Sequence, residues 1–150
     1  MQIDWAFRPQ GIDQLVERAP VAVRAAVRSI SPGRSIRGDS SDAPPIPTQR
    51  VTFVVSDRWY GPIATRFTLF KTGSATRWVE EDPPYRVGES YALFLERRGD
   101  GAYLPVAPDG RVPIRNGTAA PLIPGPVADT LARRPVAAVE DMARRAKEAN

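Results

Sequence analysis

The sequence predicts a mostly-β protein: a small antiparallel barrel of the OB type, or a sandwich, with a short N-terminal helix, a C-terminal helix and extended terminal arms. Three observations lead there. Six or seven short runs of alternating apolar residues follow one another, separated by turn signals about every 8–12 residues. The 16 prolines oppose long helices and favour loops and strand ends. So few strands would leave exposed edges in an open sheet, and closing the sheet removes them.

Residues 1–10 read as an N-terminal arm, in which Trp5 and Phe7 alternate with Asp4, Ala6 and Arg8 until Pro9 ends the run. Asp13 to Arg18 is expected to form a short helix, capped by Asp13 and stopped by Pro20. The barrel domain spans 11–117. Val21 to Ile30 is a strand with Val21, Val23, Ala25 and Val27 on one face and Arg24, Ala26 and Arg28 on the other. Residues 31–49 read as a long loop rich in Pro, Gly and Ser. Val51, Phe53 and Val55 mark the next strand, and Trp59-Tyr60-Gly61-Pro62 a turn. Ile63 to Lys71 follows, with Ile63, Thr65, Phe67 and Leu69 on one face. A short strand is expected at Ala75 to Val79, then others around Tyr91, Leu93 and Leu95 and at Ala102 to Val106, the last two joined by the hairpin signal Arg98-Gly99-Asp100-Gly101. Arg111 to Arg115 contains Pro113, which places it on an edge, and Asn116-Gly117 is a tight turn. Residues 118–150 form a linker and helical arm. Pro135 opens the last helix, and Val136, Val139, Met142, Ala143 and Ala146 form its apolar stripe.

The chain has neither cysteine nor histidine. Disulfides, zinc sites, Ser-His-Asp triads and Cys-His dyads are therefore excluded, and no cofactor or metal is expected. The chemistry left is that of carboxylates, hydroxyls, tyrosines and the two lysines, Lys71 and Lys147, among 21 basic residues. Glu80-Glu81-Asp82 is the densest acidic cluster, but Pro83-Pro84 follow it directly and no calcium-loop pattern surrounds it, so it reads as a solvated turn. The net charge of +4 is spread evenly along the chain, whereas a nucleic-acid binder concentrates its excess on one stripe. No run of apolar residues is long enough for a membrane helix, and the first residues do not form a signal peptide, so synthesis and retention in the cytoplasm are expected unless a leader precedes them.

Candidate contact residues fall into three groups. Trp5, Phe7, Trp59, Tyr60 and Trp78 are large aromatics suited to anchoring an interface. Arg34 and Arg37, with Arg50, stand in or beside the long loop, where they would pair with acidic partners. Val136, Val139 and Met142 belong to the last helix, whose stripe has two available uses: packing on its own barrel or on a partner. Arg24, Arg28, Arg66 and Arg77 interleave with Trp59, Tyr60 and Trp78, a set that on an OB-type barrel would stack single-stranded bases or would stand as solvated strand faces or protein contacts, the second view being favoured by the neutral total over residues 51–100.

The segment Glu81-Asp82-Pro83-Pro84-Tyr85-Arg86-Val87-Gly88-Glu89-Ser90-Tyr91-Ala92-Leu93-Phe94-Leu95 resembles a recurrent stretch of small secreted or lipoprotein-type bacterial β-barrel domains. The resemblance extends over roughly residues 12–148, through Leu15 to Ala19, Tyr103 to Pro113 with its Gly110-Arg111-Val112 step, and the last helix. It implies an OB-like barrel, and no catalytic residues. The chain departs from it by lacking an export signal and by its aromatic arm, Pro-rich loop and Arg-rich tail. In architecture those features resemble a phage capsid decoration protein, an analogy at the level of fold. The resulting expectation is a non-enzymatic protein on the virion surface, bound to copies of itself, a trimer for instance, and to a capsid or other assembly protein. The alternatives are a cell-envelope barrel with an unknown ligand and a single-stranded nucleic-acid binder.

Overall fold

The computed structural model describes residues 7–37 and 43–150, so Trp5 and the tip of the long loop lie outside the described residues. In chain order the elements are α1 (Ile12–Arg18), β1 (Val21–Pro32), β2 (Thr48–Tyr60), β3 (Arg66–Thr72), β4 (Ser90–Arg97), β5 (Tyr103–Pro105), β6 (Arg111–Arg115), β7 (Thr118–Ala119), α2 (Pro126–Leu131) and α3 (Val136–Ala149).

Strands β1 to β5 close into a barrel in the order β1-β2-β3-β5-β4, with β4 pairing back onto β1. The circuit is that of an OB-type barrel, and it is not wholly antiparallel: β3 and β5 run parallel and meet at one residue pair, Leu69 and Tyr103. β6 and β7 extend the sheet beyond β4. Asn116 (φ 52°) and Gly117 (φ 75°) make the turn between them, the two consecutive positive φ values of a type I′ hairpin. Pro113 is one strand in from the edge, and its carbonyl accepts from the Ala120 amide at 2.8 Å.

Two apolar cores result. Val21, Val23, Ala25, Val51, Phe53, Phe67, Leu69, Tyr91, Leu93 and Leu95 fill the barrel. Ala22, Ala92, Phe94, Val112 and Ile114, on the outer faces of β1, β4 and β6, pack against α1, α2 and α3. β4 is therefore buried on both faces, which is why Tyr91 to Leu95 reads as a continuous apolar run.

Several sequence expectations change. No strand forms at Ala75 to Val79; residues 73–89 cross the end of the barrel irregularly, burying Val79 and inserting Tyr85 into the barrel core. The long loop is shorter than 31–49, because β1 and β2 continue as a hairpin and Ile36 and Ile46 bridge above it. β2 runs through Trp59 and Tyr60, so the turn starts at Gly61. Its register against β1 skips at Ser56 and at Trp59, two bulges that coil the strand and turn Trp59 into the helical layer. Gly61 (φ +84°) passes so close to α1's exit that a Cβ there would lie 2.2 Å from the Pro20 carbonyl oxygen. Asp13 sits within the first turn of α1 and caps nothing; Gln14 instead accepts from the Gln10 amide at 2.9 Å.

The tails find cover on their own barrel wherever they are described. Phe7 packs against the helical core under Arg18, 5.0 Å from its ring centre, and Arg8 pairs with the buried Asp109 at 2.9 Å. In α3, Val139, Ala143 and Ala146 are buried against the barrel. The stripe thus contributes to the fold rather than waiting for a partner.

Candidate functional site: an open arginine face and a plugged barrel end

The helical layer covers the outer side of β1, β4 and β6 and the Trp59–Tyr60 end of β2, and leaves the outer side of β3, β5 and the first part of β2 facing solvent. Pairing of β2 with β3 sets Arg50 beside Phe70, Thr52 beside Thr68 and Val54 beside Arg66 on that outer wall. These residues alternate with Val51, Phe53, Phe67 and Leu69, which point inward, so strand periodicity alone sends the arginines out. The end of β4 adds Arg97, the turn after it Arg98, and the base of the β1–β2 loop Arg34. Two adjoining shallow grooves result, of about 520 and 620 Å³, sharing Arg50 and Asp100. Arg34, Arg50 and Arg98 line the first, and Arg50, Arg66 and Arg97 the second.

Charge on this face is one-sided. Asp100 is its acidic member, 3.6 Å from Arg98, whose guanidinium lies 3.7 Å above the Phe70 ring. Among the described residues, Arg34, Arg50, Arg66 and Arg97 have no ion-pair partner. Asp39 and Asp42 belong to the loop tip outside the described residues.

A different arrangement closes the barrel end. Lys71 continues the inward phase of Phe67 and Leu69 and is 2% exposed. Its ammonium donates to the Asp82 carboxylate (3.0 Å), the Asp82 carbonyl (2.7 Å) and the Thr72 carbonyl (3.0 Å). Arg111, 4% exposed, donates to the same carboxylate at 3.1 Å and to the Pro83 and Pro84 carbonyls, and stacks 3.6 Å above the Tyr85 ring. Two strands thereby hold the crossing segment through one aspartate. Burial pushes the Lys71 ammonium below its ordinary value, outweighing the attraction of Asp82. Burial likewise raises the Tyr85 and Tyr91 phenols, while Arg111 pulls both the other way. Asp82 is thus a structural ion-pair partner and not part of a solvated turn.

The predicted contact residues scatter. Arg34 lies on the open face, and Arg37 is exposed near it in the same loop. Trp59 (4% exposed) sits in the helical core edge-on to Phe94 at 6.2 Å, and Val139 (0%) is fully enclosed, so neither reaches a partner in this conformation. Val136 and Met142 are partly buried against the same core. Tyr60 donates to the Ala19 carbonyl at 3.0 Å and lies under Lys147. Trp78 alone of the described aromatic anchors is substantially exposed, at 44%. The face itself is completed by Arg97, Arg98 and Phe70, none of which the sequence singles out. Their signal is topological: a β4–β5 turn and a β1–β2 loop meet over β2 and β3 once the barrel closes in this order.

A scan of protein-family models finds no match to this chain, and a search of curated proteins finds none either.

Proposed function

We propose that this chain is a non-catalytic binding module that holds an extended anionic polymer across the outer wall of β2, β3 and β5. The observation that carries this is five arginines against one carboxylate, among the described residues, on the wall that the helices leave open. Arginine suits the role because its planar donors match phosphate and carboxylate oxygens in pairs. The even charge along the chain is no obstacle, because Arg34, Arg50, Arg66, Arg97 and Arg98 come from distant segments that the barrel gathers on one side. The lack of histidine and cysteine supports a role in binding rather than catalysis.

The test is fluorescence anisotropy of a labelled single-stranded oligonucleotide, with polyglutamate run in parallel as a protein-like polyanion. If nucleic acid is the ligand and about four phosphates are neutralised, log K falls with log salt at a slope of about −3. Arg50→Glu with Arg66→Glu removes binding at moderate salt. Absence of binding by both polymers at low salt sinks the proposal.

One further observation favours a protein partner. Trp78 and Val87, 44% and 64% exposed, remain uncovered on the segment that plugs the barrel. On that footing a second proposal is a structural protein that reinforces a larger assembly, such as a capsid surface. The outcome that favours it is a Trp78→Ala variant that folds and loses self-association or assembly binding.

A further inference from the structure

We propose that the barrel carries a second binding site, separate from the arginine face, for a small organic monoanion with an apolar body, such as a medium-chain carboxylic acid. β3 and β5 touch at a single pair, Leu69 and Tyr103, and diverge beyond it. Between the diverging strands lies a cleft of about 330 Å³, lined by Leu69 to Thr72 on one side and Leu104 to Val106 on the other. That is the lower end of the size range for small-molecule sites. Its walls are mainly apolar, with Phe7 and Pro108 adding to Leu69, Phe70 and Leu104.

The closed end has the opposite character. Lys71 and Arg111 both line the cleft, both are more than nine-tenths buried, and they share the carboxylate of Asp82. Two buried cations on one carboxylate leave a positive excess beside an apolar space, and buried charge is ordinarily balanced. Two polar atoms of the side chains that close that end, Arg111 Nε and Tyr85 Oη, have no hydrogen-bond partner among the described residues, although their residues are 4% and 3% exposed. Unpartnered buried donors are uncommon in native proteins. A single negative head group directed to this end, with its apolar tail along Phe70 and Leu104, answers the charge and the wall chemistry together. Arg18, Glu81 and Glu96 also line the cleft and are more exposed than Lys71 and Arg111; with two carboxylates against one guanidinium in this outer part, a multiply charged ligand is disfavoured.

The experiment is calorimetric titration of the full chain with octanoate, octanamide and inorganic phosphate. Octanoate is expected to bind one to one, octanamide at least about tenfold more weakly, and phosphate not at all. Leu104→Trp, which fills the cleft from β5 and leaves the Lys71, Asp82 and Arg111 side chains themselves unchanged, should abolish octanoate binding. If that variant does not fold, octanoate-induced NMR shifts in the unmodified chain are expected to centre on Phe7, Leu104 and Val106. Failure of octanoate to bind, equal affinity for octanamide, or shifts centred elsewhere would overturn the proposal. Oligonucleotide binding by the arginine face is read separately and does not bear on this outcome.

Discussion

The barrel end and the open wall both depend on arginine, in opposite ways. Arg111 is desolvated, stacked on Tyr85 and tied to Asp82 and two carbonyls; Arg50 and Arg66 stand in solvent with no ion-pair partner among the described residues. A buried guanidinium is fixed in place and loses a great deal if its partner is removed. A solvated one contributes little to folding and keeps its donors for whatever approaches. Position relative to the strand pleat separates these residues: Lys71, in inward phase, is held within the fold, while Arg50 and Arg66, in outward phase, stay solvated.

Removing Asp82 tests the first half most severely. Asp82→Ala leaves Lys71 and Arg111 facing each other without a counterion, and the expected loss is about 3–5 kcal/mol in urea unfolding. A loss within the error of the measurement would mean that the cluster is not what holds residues 73–89 in place.

Alkali gives a second, graded test. Tyr60, Tyr85 and Tyr91 have phenols raised above their ordinary value of 10.0, in each case mainly by burial. The fold therefore keeps these phenols protonated where the unfolded chain releases the proton. That contribution is complete below pH 10 and disappears as pH climbs from there toward the raised values. Lys71 acts with the opposite sign: its lowered value makes stability increase as pH approaches 10.5. Three phenols against one amine predict a steep fall in melting temperature above about pH 10. A melting temperature that holds steady well past that point would show that the phenols are not shielded as described.

The smallest expected effect concerns the open wall. The pair Arg50→Glu and Arg66→Glu should change unfolding free energy by less than about 0.5 kcal/mol per site while removing polyanion binding. A large stability loss would erase the contrast between the two regions.

Much of the architecture is legible in the chain. Alternation at Val21 to Val27 and at Val51 to Val55, the glycine turns, and the switch to helical spacing after Pro135 all reflect local periods. What is not legible depends on closure. The bulges at Ser56 and Trp59 are register events between two strands, invisible in either one alone. The clustering of five arginines requires the order β1-β2-β3-β5-β4, which no local period encodes. Lys71 was the one local clue available: a lysine in phase with Phe67 and Leu69 requires a buried partner. That partner, Asp82, was hidden within an acidic run that looks solvated.

The seam between β3 and β5 has a further consequence. Elsewhere the cylinder is stitched by ladders of three to ten paired residues, but here one pair completes the circle. A hoop fastened by a single rivet changes girth at that rivet before anywhere else. Swelling of the barrel, whether to admit a guest or on the way to unfolding, is therefore expected to begin between Leu69 and Tyr103, with Tyr103 to Pro105 moving on the short leash of the β4–β5 turn before the long β1–β2 hairpin parts.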